Sequence, residues 1–93
     1  MVEKQIYANG QKVYDLKDTK LTYYFKNGAL KAHGEYVKNK RQGIWYFYRK
    51  NGDLWKVGHY KDGVKHGKWE RYSPEGQIEA DQVFDGGQLI KKV

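Results

Sequence analysis

Glycines, aromatic residues and aliphatic residues recur along this chain every 24 positions. Gly43, Trp45, Tyr48, Gly52, Leu54 and Tyr60 are followed, 24 residues on, by Gly67, Trp69, Tyr72, Gly76, Ile78 and Phe84. They are preceded, at the same distance, by Thr19, Leu21, Tyr24, Gly28, Leu30 and Tyr36. A period held by three copies marks a repeat architecture, in which each unit buries its apolar positions against its neighbours. Within a unit, Tyr, Trp, Phe, Val and Ile are enriched and helical spacing is absent, so the elements are strands. The expected first strands are Lys20–Phe25, Ile44–Tyr48 and Lys68–Tyr72. The second strands are Leu30–Tyr36, Leu54–Tyr60 and Ile78–Phe84.

The turns between these strands are equally regular. Ser73-Pro-Glu-Gly76 has proline second and glycine fourth, which fits a type I turn closed by a left-handed glycine. Phe25-Lys-Asn-Gly28 and Arg49-Lys-Asn-Gly52 align with it. Placing Ser73 opposite Gln77 sets Tyr72 opposite Ile78, Tyr48 opposite Leu54 and Tyr24 opposite Leu30. One step further it sets Arg71 opposite Glu79, Phe47 opposite Trp55 and Tyr23 opposite Lys31, all favourable cross-strand pairs. If the links Lys38-Asn-Lys40 and Asp62-Gly-Val64 are three-residue loops, Leu21, His33, Trp45, Val57, Trp69 and Asp81 form one lane across the sheet. A two-residue Asp62-Gly63 turn would change that lane unless a bulge intervened.

Strand alternation then divides the side chains between two faces. One face is expected to carry Tyr24, Leu30, Tyr36 and their equivalents, with Ala32, Gly34, Gly58 and Ala80 leaving room between the rings. The other carries Leu21, Trp45 and Trp69. Outside the period, Ile6–Gly10 and Lys12–Leu16 predict a hairpin around Asn9-Gly10. The whole chain, 1–93, therefore reads as one repeat domain. It has an N-terminal cap hairpin (1–18), repeats at 19–42, 43–66 and 67–87, and a C-terminal cap strand (88–93), where Lys91 and Lys92 suit an exposed edge.

The unit Gly-x-Trp-x-x-Tyr-x-x-x-Gly-x-Leu, ending in Gly-x-Tyr-x-x-Gly, resembles the MORN repeat. Its 24-residue length and the link Tyr60-Lys-Asp-Gly-Val-Lys-His-Gly67 resemble the bacterial variant of that repeat. The likeness spans about residues 19–87, with Thr19 and Leu21 in the first repeat where the family has glycine and tryptophan. It implies an all-β fold, an elongated, twisted, single-layer antiparallel meander of successive hairpins. It also implies a binding role: some bacterial members of the variant family are regarded as antitoxins, and MORN repeats elsewhere are associated with scaffolding and phospholipid contact.

Composition removes several classes of chemistry. The chain has 93 residues and no cysteine, so it holds one small core with neither disulfides nor thiolate metal sites. Its single serine, Ser73, sits in a tight turn, and His33, His59 and His66 are not spaced as metal ligands. The acids Glu79 and Asp81 share a strand face, but Arg71 opposite Glu79 gives them a structural role. We therefore expect no enzyme, cofactor or metal. The opening Met-Val-Glu-Lys-Gln lacks a signal-peptide pattern, which points to the cytoplasm, or to an exported domain whose leader has been removed.

Net charge is +7, and it is uneven. Residues 1–66 carry 14 Lys/Arg against 6 Asp/Glu, whereas 67–93 carry 4 against 5. The middle repeat also breaks the pattern toward large rings, since Trp55 aligns with Lys31 and Glu79, and Phe47 with Tyr23 and Arg71. On the expected register Trp45, Phe47, Trp55, Val57 and Trp69, bordered by Tyr23, His33 and His59, form a patch suited to a protein partner. The basic residues Lys38, Lys40, Arg41, Arg49 and Lys50 offer a second reading, contact with nucleic acid or an acidic lipid surface. Unpaired edge strands offer a third, a homodimer.

Overall fold

The computed structural model describes residues 6–92, which form one open layer of eight antiparallel strands in chain order. The strands are β1 (Tyr14–Lys17), β2 (Lys20–Tyr24), β3 (Leu30–Val37), β4 (Lys40–Tyr48), β5 (Leu54–Lys61), β6 (Val64–Tyr72), β7 (Ile78–Asp85) and β8 (Gln88–Lys92). The layer measures 41 × 34 × 18 Å. The meander of hairpins expected from the repeat is therefore the fold. Residues 1–5 of the expected cap and Val93 of the last strand lie outside the described residues.

One set of turns, the tips, follows the predicted chemistry. The Ser73 N–H donates to Gln77 O (2.7 Å) and the Gly76 N–H to Ser73 O (2.9 Å), and the same pair of bonds closes Phe25–Ala29 and Arg49–Asp53. Gly28, Gly52 and Gly76 have φ of 86°, 97° and 87°, a conformation open to glycine at little cost. The N-terminal turn adopts this geometry too: Tyr7 N–H donates to Gln11 O and Gly10 N–H to Tyr7 O. It is a three-residue loop over Ala8-Asn9-Gly10 rather than a two-residue Asn9-Gly10 turn. The tips stack along one end of the sheet, with Asn9 Nδ2 donating to Lys26 O (2.9 Å) and Asn27 Nδ2 to Lys50 O (3.5 Å).

The links at the other end correct the expected register. They are two-residue turns, Lys38-Asn39 between paired Val37 and Lys40, and Asp62-Gly63 between paired Lys61 and Val64. All four residues have positive φ, between 51° and 88°, the geometry that matches the twist of the flanking strands. At the tip end, Tyr24, Tyr48 and Tyr72 face Leu30, Leu54 and Ile78 as expected. The register then slips by one, so that Tyr23, Phe47 and Arg71 face Ala32, Lys56 and Ala80. Lys31, Trp55 and Glu79 are the extra, bulged residues, not the cross-strand partners of Tyr23, Phe47 and Arg71. The Arg71–Glu79 ion pair nevertheless forms, at 3.5 Å.

Each bulge and each shortened link reverses side-chain alternation once, and the two-residue insertion around Gly43 or Gly67 leaves it unchanged, so the reversals cancel over the period but turn β3, β5 and β7 over in between. The lane through Trp45 is Leu21, Gly34, Trp45, Gly58, Trp69 and Gln82, not the one through His33, Val57 and Asp81. Tyr36, Tyr60, Phe84 and Ala32 consequently join the indoles on what we term the ring face. His33, Val57 and Asp81 share the reverse face with Tyr46, Glu70 and the tip tyrosines Tyr24, Tyr48 and Tyr72.

The core lies on the ring face. Leu21, Ala32 and Trp45 are buried, with Tyr14, Tyr23, Tyr36, Phe47 and Tyr60 packed against them. Gly34 and Gly58 are required here because a Cβ on Gly34 would come within 2.5 Å of the Trp45 ring, and one on Gly58 within 2.0 Å of Trp69. The Trp45 indole N–H donates to Glu35 O and the Trp69 N–H to His59 O, both at 2.9 Å. Each accepting carbonyl lies beside a break in strand pairing, where β4 and β6 carry two residues more than their partners around Gly43 and Gly67. The burial of each indole thus leaves its polar atom satisfied.

Candidate binding face

A cation and a ring close over each indole. The Arg41 guanidinium lies 4.7 Å from the Trp45 ring centre and 5.4 Å from Tyr60, and Arg41 Nη1 donates to the Tyr60 hydroxyl at 3.0 Å. Tyr60 meets both indoles edge-on, with centroids 6.2 Å from Trp45 and 5.1 Å from Trp69. One period later Lys65 sits 4.7 Å over Trp69 and 4.9 Å over Phe84. These contacts leave Trp45 fully buried and Trp69 nearly so, which makes both floor rather than exposed surface.

The remaining predicted residues divide between the two faces. Tyr23, Phe47 and Trp55 stay with the indoles, half-buried, and together with Phe25, Lys31, Ala32, Arg41 and an edge of Tyr48 they line a groove of about 310 Å³. Trp55 reaches this groove because it is the bulged residue of β5, and the Lys56 ammonium lies 4.0 Å over its ring. Burial, then the charges of Lys65 and Arg71, push the Lys56 ammonium below its ordinary range.

His33, Val57 and His59 belong to the reverse face. His33 stacks on Tyr46 (5.0 Å) and Tyr48 (5.7 Å), and its Nε2 lies 3.0 Å from the Tyr48 hydroxyl. Burial, then Lys20, holds the His33 imidazole below its usual value, so its neutral form is favoured. Burial, then Tyr46, raises the Tyr48 phenol. Val57 lies between Tyr46 and Glu70, and His59 is exposed beside Ile44. Glu79 and Asp81 do not share a face: Asp81 faces Glu70 across the β6–β7 pair while Glu79 reaches Arg71.

The basic set separates as well. Lys38 and Lys40 lie at the link end and are exposed. Arg49 and Lys50 lie at the tip end, about 25 Å away along eight- or nine-residue strands. Arg41 turns over the ring face, and Arg49, whose guanidinium lies 5.8 Å from the Trp55 ring centre, has its Nη2 donating to Tyr72 O at 2.9 Å. Sequence reasoning missed Phe25, Lys31 and Tyr48 as groove residues, and Lys56 as the cation over Trp55. It also missed the part played by Arg41 and Lys65, although their spacing of one period was a visible signal.

Among the described residues, no group of three or more His, Cys, Asp or Glu side chains is placed to hold a metal ion, and no helix is long and apolar enough to cross a membrane. Comparison with known families finds the MORN repeat variant at residues 41–62 and 65–85, the two units that carry Trp45 and Trp69. MORN repeats are binding modules. No curated protein and no solved structure matches the chain.

Proposed function

We propose that this chain, two of whose units match the MORN repeat variant, works as a non-catalytic protein-binding module, an antitoxin-like or scaffold component that docks a protein on its ring face. The observation that carries this reading is the residue at the bulge. Lys31, Trp55 and Glu79 occupy equivalent places, so the scaffold accepts a cation, an indole or an acid there. Folding does not require a tryptophan at this position. A half-buried indole beside Phe47 and Tyr23 supplies the large, rigid contact area typical of binding hot spots. The basic turns support a phosphate-rich partner less well, because they lie at opposite ends of the sheet.

The test compares capture of partners from the source cell by the wild-type chain and by Trp55→Lys. The expected result is a protein retained by the first and lost by the second, at equal melting temperature. The same protein retained equally by both would remove the ring face from consideration.

A further inference from the structure

The groove beside Trp55 combines an apolar floor with positive charge that the fold leaves unneutralised. Lys31 lies 5.7 Å from the Phe25 ring centre, Arg41 sits 5.8 Å from that of Tyr23, and Lys56 lies 4.0 Å and 5.9 Å from those of Trp55 and Phe47. Among the described residues, no carboxylate lies within 4 Å of any of these three cations. Elsewhere the same fold does pair its charges, as Arg71 with Glu79 and Lys68 with Glu70 show. The third repeat places an acid at the bulge, and the middle repeat replaces it with an indole. Both changes, the lost acid and the gained ring, fall in one place.

We infer that this groove takes an extended acidic peptide segment, with one aliphatic or aromatic side chain seated between Phe47 and Trp55 and carboxylates on either side engaging Lys31, Arg41 and Lys56. The inference rests on the protein-binding reading above and specifies its partner. Three arguments lead to it. A volume of about 310 Å³ holds one or two side chains, not a run of bases. The largest rings of the lane, Trp45 and Trp69, are buried and offer no open face to a stacking base. One face of Trp55 already carries the Lys56 ammonium, and a carboxylate can engage that cation where a stacked base would have to displace it. The low proton affinity of Lys56, caused by burial and by neighbouring cations, agrees with a site whose positive charge awaits a counter-charge.

A random peptide display library panned against the wild-type chain, with Trp55→Lys as counter-target, tests this. The enriched peptides should carry Asp or Glu on both sides of a Phe, Leu or Ile. The best of them, made synthetically, should bind the wild type at least about tenfold more tightly than Trp55→Lys, and about tenfold more tightly than its own Asn/Gln copy. Lys31→Glu installs the residue type that the third repeat carries at this place, so the variant folds, and it should weaken the acidic peptide several-fold while leaving the Asn/Gln copy unaffected. Enriched peptides that depend on Trp55 but are neutral or basic would overturn the acidic inference and leave the binding face standing. Peptides indifferent to Trp55, or no enrichment at all, would overturn the groove itself. Oligothymidylate or phosphatidylserine vesicles bound more tightly than any peptide, and unaffected by Trp55→Lys, would show that the occupied surface is the basic turns.

Discussion

The units centred on Trp45 and Trp69 are assembled from the same parts. Each indole lies over a glycine, donates to a carbonyl beside a pairing break, and is covered by a cation and an edge-on ring. They differ in their neighbours. Trp45 has Leu21 and Ala32 on one side and the Trp69 unit on the other, and none of it is exposed; Trp69 retains 5%. They differ also at the bulge, Trp55 in one unit and Glu79 in the other. The comparison shows two kinds of position. The indole, its glycine and its covering cation recur because a single-layer sheet has no second layer to bury them. The bulged residue varies because the scaffold needs only its backbone.

The largest expected effect concerns the indoles themselves. Trp45→Ala should cost about 5 kcal/mol and Trp69→Ala about 3 kcal/mol, the two ends of the range for buried aromatic truncation. Urea denaturation measures both, and equal losses would show that neighbours on both sides confer no advantage. The covering cations come next. Arg41→Ala should cost about 1–2 kcal/mol, because it loses the ring contacts and the bond to Tyr60, and Lys65→Ala about 0.5–1 kcal/mol. A double-mutant cycle of Arg41→Ala with Tyr60→Phe isolates the hydrogen bond.

The two links allow a gain in stability to be tested. Lys38 holds φ of 52° at a place where the following unit has Asp62, a residue type that tolerates this conformation better. Lys38→Gly should therefore raise stability by about 0.5–1 kcal/mol, a few degrees in melting temperature, and Asp62→Gly by less. The smallest effect belongs to pH. The folded His33 imidazole binds its proton less readily than the unfolded one, so the unfolded chain takes up more protons as pH falls. The His33 contribution is fully present above the ordinary value of 6.5 and declines as pH drops through it toward the lower folded value. Melting from pH 7.5 to 5.5 should therefore fall further for the wild type than for His33→Gln, whereas parallel curves would mean that burial, with Lys20 nearby, does not favour the neutral ring.

Much of the fold was readable from spacing. Ser73-Pro-Glu-Gly76 located the hairpin tips, the 24-residue period located every strand from β2 to β7, and alternation correctly joined Leu21, Trp45 and Trp69. The two faces could not be separated in the same way. The bulges at Lys31, Trp55 and Glu79 and the shorter links leave the period intact, because the two-residue insertions around Gly43 and Gly67 return the lane to every 24th residue. Period counting is blind to a gain and a loss that cancel, although side-chain direction reverses between them. The candidate patch was accordingly half right in its geometry: Tyr23, Phe47 and Trp55 do meet, while His33, Val57 and His59 point the other way. Gly34 and Gly58 carried the missing signal, since a glycine repeated in mid-strand marks the close approach of a large ring.

By itself the sequence determined that the chain is a run of β-hairpins with tips at fixed places, since turn chemistry and strand propensity act over a few neighbouring residues. Only the tertiary structure decided which residues share a face. That depended on where each strand slipped by one against its partner, and on the link-side pairs in which an indole settles over a glycine of the adjacent strand. Contacts of that kind bring together residues about ten positions apart, beyond the reach of any local pattern.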